Sequence, residues 1–172
     1  MQKIVLIGYM GSGKTTIGKL LSEKARIPFY DLDEIIEKKS QKTISELFLE
    51  IGEIKFRKLE HETLRDFLSK QDDFILSLGG GTPCYANNHL FLQQEDVASF
   101  YLKASVKELS GRLMQEKKHR PLIAKLDDAE FEEFIAKHLF DRSYFYHKAK
   151  NVLSVDGKEP SEIANEIIGK LA

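Results

Sequence analysis

A run of four apolar residues, Ile4-Val5-Leu6-Ile7, opens directly into Gly8-Tyr9-Met10-Gly11-Ser12-Gly13-Lys14-Thr15. Beyond it, Ile17, Leu20, Leu21 and Ala25 recur at helical spacing. No other feature constrains the chain so tightly. A short, continuously apolar strand is what a sheet buried on both faces requires. The loop after it matches G-x-x-x-x-G-K-[ST], and each part of that pattern has a physical task. The glycines permit backbone angles that turn successive amides inward around phosphate oxygens. The helix that follows adds its positive N-terminal end. Lys14 can reach β- and γ-phosphates, and the Thr15 hydroxyl can take a Mg2+ coordination position. A chance match in a glycine-rich turn is the plain alternative, but strand, loop and helix stand in the order the geometry needs. Gly11, Ser12, Gly13, Lys14, Thr15 and Thr16 are therefore candidate ATP contacts, though Thr16 by itself equally well just begins the helix. The motif points to nucleotide phosphates and leaves the phosphate acceptor open.

Strand-like and helix-like stretches alternate along the rest of the chain, which predicts a parallel sheet covered by helices on both faces. Pro28 and Phe29 lead into a second strand ending near Asp31 and Asp33. Residues from about Asp33 to Lys70 read as mostly helical, broken around Ser40 and Gly52. Phe74-Ile75-Leu76 makes a third strand that ends in Gly79-Gly80-Gly81. Val97 to Leu102 makes a fourth, Ser105 caps a helix to about Gln115, and Val152 to Val155 precedes a closing helix after Pro160. Phe131, Phe134, Phe140 and Phe145 fall near helical spacing and are assigned to the core. The expected fold class is α/β, a three-layer sandwich around a five-stranded parallel sheet, with ligands gathered at the carboxyl ends of the strands. No repeat or low-complexity linker divides residues 1–172, so they are read as one domain. Residues from about 116 to 128 are polar, basic at first and proline-containing, which predicts a mobile surface loop.

With 172 residues, 42% hydrophobic and 31% charged, the chain can build such a sandwich without disulfides or structural metal. A formal net charge of -1 gives no electrostatic reason for a nucleic-acid or membrane-surface partner. Any basic site must be local. The single cysteine, Cys84, excludes an intramolecular disulfide and a cysteine-built zinc site. No apolar run approaches the roughly 18 residues of a membrane span. Gly8 and Lys14 interrupt the first apolar stretch too early for a secretory signal. The expectation is a cytoplasmic protein and, with no long apolar stripe to cover, a monomer.

Polar residues at the other strand ends should define the acceptor. Strand alternation through Asp31-Leu32-Asp33 puts two carboxylates on one side of the chain. One can support Mg2+ through water, and the other can accept or orient a hydroxyl proton. A helix N-cap before the run beginning at Asp33-Glu34 is the alternative. Gly79, Gly80 and Gly81 let backbone approach a ligand closely, or simply form a flexible turn. Arg57 and Glu60 by themselves read as a solvated i,i+3 pair.

Taken together these motifs resemble the shikimate kinase family, over nearly the whole chain and in the family's order. The match comprises the Gly8 to Thr15 loop, Asp31-Leu32-Asp33, Gly52-Glu53 with Phe56-Arg57 and Glu60, Gly79-Gly80-Gly81, Arg120-Pro121-Leu122, and Arg142 followed by Tyr146. The resemblance implies that Arg57 and Arg142 bind the shikimate carboxylate, for which a planar guanidinium fork is suited. It implies that Glu60 helps to hold Arg57 and the acceptor site, and that Asp33 contacts the acceptor hydroxyls as the candidate base. Asp31 corresponds to the carboxylate associated with Mg2+, and the three glycines to a loop touching both shikimate and the γ-phosphate region. Arg120 corresponds to a lid arginine that neutralises charge during transfer as closure excludes water; a solvated basic loop is the alternative. Arg112 takes the place of an arginine near the adenine, or stands as an exposed helix residue, and the Asp156-Gly157-Lys158 turn resembles the other adenine-contacting segment.

Three features depart from the family pattern. Thr82-Pro83-Cys84 follows the triple glycine where small or aliphatic residues are common. Ser143-Tyr144-Phe145 replaces the usual Pro-Leu-Tyr region after Arg142. The lid carries an extra residue before Arg120. Cys84, lacking a histidine partner, reads as a buried small hydrophobe close to the site. His61, His89, His138 and His147 read as surface or partly buried residues. The resemblance implies transfer from MgATP to the 3-hydroxyl of shikimate. A gluconate or nucleoside monophosphate kinase is the nearest rival, and a nucleotide-dependent switch without an acceptor is the second.

Overall fold

The computed structural model describes residues 2–117 and 124–172. Its frame is set by β1 (Lys3–Ile7), every residue of which is buried. A strand with both faces covered must lie inside a sheet, and β1 pairs in parallel with β3 (Phe74–Ser77) on one side and β4 (Val97–Lys103) on the other. The shorter β2 (Phe29–Asp31) extends the sheet beyond β3, and β5 (Asn151–Ser154) beyond β4. The order is β2-β3-β1-β4-β5, all parallel, as the alternating pattern predicts.

Parallel strands need long crossovers, and right-handed ones place connections by the direction in which they step across the sheet. The step from β1 to β2 runs one way and carries α1 (Lys14–Ala25), against which α6 (Pro160–Leu171) packs. The later steps run the other way, so their connections cover the opposite face. These hold α2 (Leu32–Ser40) packed on α3 (Ile44–Leu68), and α4 (Val106–Met114) packed on α5 (Asp128–Tyr146). The chain reverses direction at β1, so the loops leaving β1 and β3 diverge there and open a crevice at the carboxyl ends.

Two expectations are corrected. Asp33 does not continue an extended strand: α2 begins at Leu32, and Asp31 is its N-cap. The strand alternation invoked for the two carboxylates therefore does not apply, and the helix-cap alternative holds for Asp31 rather than Asp33. Phe140 is not core; it is 82% exposed, whereas Phe131 is buried and Phe134 packs partly against the core. After the triple glycine the chain forms 3-10 helices at Thr82–Cys84 and Asn88–Gln93. The break at Gly52 is present as a kink inside α3, at φ 76° and ψ 169°. The core of the expected lid, Arg120 included, lies outside the described residues.

Candidate active site

The loop from Gly8 to Thr15 leaves the buried end of β1 and enters α1 with Gly13 as its N-cap, at φ 96° and without a side-chain cap. The amides of the first turn of α1 are thus left for an external acceptor. Ser12 is 1% exposed, and its hydroxyl has no hydrogen-bond partner among the described residues. An orphaned polar atom in such a cradle fits a phosphate oxygen. Lys14 lies over the loop, donating from Nζ to the carbonyls of Gly8 (2.7 Å) and Tyr9 (3.2 Å).

Beside this loop is a cleft of about 390 Å³, lined by Lys14, Thr15, Asp31, Asp33 and Gly79 among others. A wider depression of about 760 Å³ continues along Gly11, Gly13 and Thr16 to Ser105, Gly111 and Arg112. Arg112 is not a free surface residue: it donates to Gly11 O at 3.1 Å and to Glu108 Oε1 at 3.0 Å. Asp156 accepts from the Ser105 amide at 3.0 Å, fixing the turn after β5 at the start of α4.

Asp31 uses Oδ1 to accept from the amides of Asp33 (2.9 Å) and Glu34 (3.3 Å). Its Oδ2 accepts no hydrogen bond from the described residues, and burial raises its pKa against those two amides. No group of three or more His, Cys, Asp or Glu side chains forms a metal cage among the described residues. One hydroxyl and one carboxylate beside a phosphate cradle suit Mg2+, which keeps its waters and is held through substrate phosphates. Asp33 is more strongly affected. Burial, then the nearby Asp31 and Glu60 carboxylates, push it up to about 6, with Lys14 acting in opposition. A carboxyl near the working pH is suited to taking a proton.

The triple glycine turns out to be a spacer. A Cβ on Gly79 would lie 3.1 Å from Asp33 Oδ1, one on Gly80 would lie 3.0 Å from Arg142 Nη1, and one on Gly81 would lie 2.8 Å from Arg57 Nη2. Each missing side chain makes room for a different candidate acceptor residue, coming from α2, α5 and α3 respectively. Arg57 donates to Glu60 Oε1 at 2.8 Å. Glu60 is 1% exposed, so the solvated-pair alternative does not hold. The Tyr85 ring stacks under the Arg57 guanidinium, 4.0 Å from its centroid. Arg142 lies over the Tyr9 ring at 5.6 Å, and Tyr146 on the same helix donates to Gly80 O at 2.6 Å.

The structure thus brings together Lys14, Thr15, Asp31, Asp33, Arg57, Glu60, Gly79, Gly80, Gly81 and Arg142. It also adds residues that the sequence did not single out. Tyr9, buried within the loop, bonds through its hydroxyl to His138 Nδ1 at 3.0 Å. Thr82 donates to Glu60 Oε2 at 2.8 Å, and Tyr85 supports Arg57. Only Thr82 left a signal, as a departure from the family pattern. Cys84 is half-buried, with its thiol raised to about 11 by burial, so it stays protonated at neutral pH as a small apolar group.

Fold and site together define a nucleotide-dependent kinase of the P-loop class, with a carboxylate and two arginines gathered on three glycines beside the phosphate loop. The family profile described as shikimate kinase matches residues 10–172. A shikimate kinase of Flavobacterium psychrophilum is 54% identical over 167 residues, 97% of each chain. The crystal structure of shikimate kinase from Bacteroides thetaiotaomicron superimposes with a TM-score of 0.88 at 34% identity, covering 99% of this chain and 97% of that one. Shikimate kinase from Acinetobacter baumannii in complex with shikimate gives 0.86 at 30% identity, covering 99% and 93%. The chain belongs to the shikimate kinase family.

Proposed function

We propose that the protein transfers the γ-phosphoryl group of ATP to the 3-hydroxyl of shikimate, giving shikimate 3-phosphate and ADP. The observation that carries this reading is the convergence of Asp33, Arg57 and Arg142 on the three glycines, one residue to each, beside Lys14. Two guanidinium groups suit a carboxylate, and a raised carboxyl suits a hydroxyl. The solved relative in complex with shikimate supports the same acceptor.

On this reading Arg57 and Arg142 anchor the carboxylate, while Glu60 orients Arg57. Asp33 accepts or orients the hydroxyl proton as the oxygen attacks phosphorus and the bond to ADP breaks. Gly11, Ser12, Gly13 and Thr16 hold the nucleotide phosphates, and Arg112 borders the base. Thr15 and Asp31, through water, hold Mg2+, which neutralises phosphate charge when bound. Lys14 and, by family resemblance, Arg120 stabilise charge on the transferred group. The segment from about 116 to 128 acts as the lid of a single domain working as a cytoplasmic monomer; light scattering of the eluted protein tests that state.

The direct test is ADP formation from MgATP with shikimate, gluconate or nucleoside monophosphates. Stimulation by shikimate alone is expected. Stimulation by another acceptor would discard the pocket assignment while leaving the nucleotide site. ATP binding without stimulation by any acceptor would favour a switch.

A further inference from the structure

Thr82 is a departure from the family pattern that proves to be fully buried, at 0% exposure. Its hydroxyl donates to Glu60 Oε2 at 2.8 Å, while Arg57 Nη1 donates to Glu60 Oε1 at 2.8 Å. The two oxygens of one buried carboxylate are thus divided between the arginine and the threonine. Behind Thr82 the network continues. Asn88, also at 0% exposure, donates from Nδ2 to Thr82 O at 2.9 Å. A carbonyl can only accept, so this bond fixes the Asn88 amide with Oδ1 facing His61 Nδ1, 2.7 Å away. Oδ1 accepts, so His61 Nδ1 carries the proton. The direction of every bond is then determined: His61 donates to Asn88, Asn88 to the Thr82 carbonyl, and the Thr82 hydroxyl to Glu60, which faces Arg57.

We infer that Thr82, held by Asn88 and His61, is a positioning residue that fixes Glu60 and through it the aim of the Arg57 guanidinium. The inference rests on the reading of Arg57 as the acceptor-carboxylate anchor. Without the hydroxyl, Glu60 has one buried oxygen unsatisfied. A buried carboxylate in that state rotates towards other donors. Apart from Glu60, Arg57 is held by stacking on the Tyr85 ring, which sets the plane of the guanidinium but not its rotation within that plane. Its Nε is buried without a hydrogen-bond partner among the described residues. The consequence falls on acceptor binding. The nucleotide loop is held by separate contacts, Lys14 to Gly8 and Arg112 to Gly11.

The test compares Thr82→Val, Thr82→Ser, His61→Phe and Arg57→Ala in shikimate-stimulated ADP formation, with KM measured for both substrates. Thr82→Val keeps shape and removes the donor. It is expected to raise the shikimate KM roughly tenfold, as loss of a hydrogen bond to a buried charge does, with kcat and the MgATP KM changed less than twofold. Thr82→Ser restores the hydroxyl and should return the shikimate KM to within about twofold of the parent, on the same grounds. His61→Phe keeps an aromatic ring beside Phe91 and removes only the first donor. It should raise the shikimate KM severalfold and carries the test if Thr82→Val does not fold. A raised KM in Arg57→Ala with parental KM values in Thr82→Val and His61→Phe overturns the inference alone. Equal losses in kcat with both KM values unchanged overturn it too, as a general structural effect. An unchanged shikimate KM in Arg57→Ala removes the acceptor reading beneath it.

Discussion

At Asp33 the proposed chemistry comes with a penalty to folding. Its folded pKa of about 6 stands above the ordinary 3.8, chiefly through burial. At pH 8 both folded and unfolded states carry the ionised group, and only the folded state holds it in a desolvated place. As pH falls through 6 the folded protein takes up the proton first, so the penalty fades and is gone below about 4. Asp33→Asn is therefore expected to stabilise the fold at pH 8 by on the order of 1–3 kcal/mol, read as a higher thermal midpoint, with the gain vanishing near pH 4. Melting curves at both pH values check this. The same substitution should lower kcat by about 10²–10⁴-fold, and the parent kcat/KM for shikimate should fall on the acid side of about pH 6. At Gly80 and Gly81 the expectation is reversed. An added Cβ meets the far end of an arginine, which can move, rather than backbone, which cannot. Gly80→Ala and Gly81→Ala should fold with melting midpoints close to the parent. Each should raise the shikimate KM roughly tenfold, a little over 1 kcal/mol, while leaving the MgATP KM unchanged.

Among elements, α3 shows how a helix is aimed. Gly52 sits within it at φ 76° and ψ 169°, a region open almost only to glycine, and a Cβ there would meet nothing within 4 Å. Its requirement is conformational, not steric. Gly52→Ala should therefore destabilise the protein by about 1–3 kcal/mol. Re-straightening α3 would also move Arg57 and Glu60, so the shikimate KM should rise with the loss of stability; denaturant titration and kinetics together check both. Elements were legible in the sequence where one residue period carried the signal, as in β1 and α1, and where a breaker stood alone, as at Gly52. Asp31-Leu32-Asp33 was misread because strand alternation was extended past the point where Asp31 caps a helix. Phe140 was misread because helical spacing gives a face, not which face the sheet covers. The carboxylates, arginines and glycines of the site were recognisable as a family set. Tyr9 and His138 were not, because their bond joins residues 129 positions apart, and neither residue type in isolation marks a site.

At the scale of the whole molecule, the candidate site gathers at the carboxyl ends of the strands. The carboxyl ends of β1, β2 and β3 lead to Lys14 at the start of α1, to Asp31 and Asp33 at the start of α2, and to the three glycines, while α3 and α5 supply the arginines. Ligands that bridge these elements bind only the assembled fold. Saturation with MgATP and shikimate at about 100 times their dissociation constants should thus add roughly 2.7 kcal/mol per ligand, read as a rise in melting midpoint. Phe140 lies apart from all of this, and Phe140→Ser should leave both kinetics and midpoint near the parent values.

The central place of β1 has a consequence for synthesis. Its hydrogen-bonding neighbours are residues 74–77 and 97–101, and its following helix rests on residues 160–171. A ribosome therefore delivers the nucleotide loop early and its supports late, and parallel pairing of this kind is slow to form. A nascent chain arrested before β4 emerges holds every residue from Gly8 to Thr15 yet has one side of β1 unpaired. Such a chain is expected to pass through an ATP matrix unretained, and to depend on chaperones until the sheet closes.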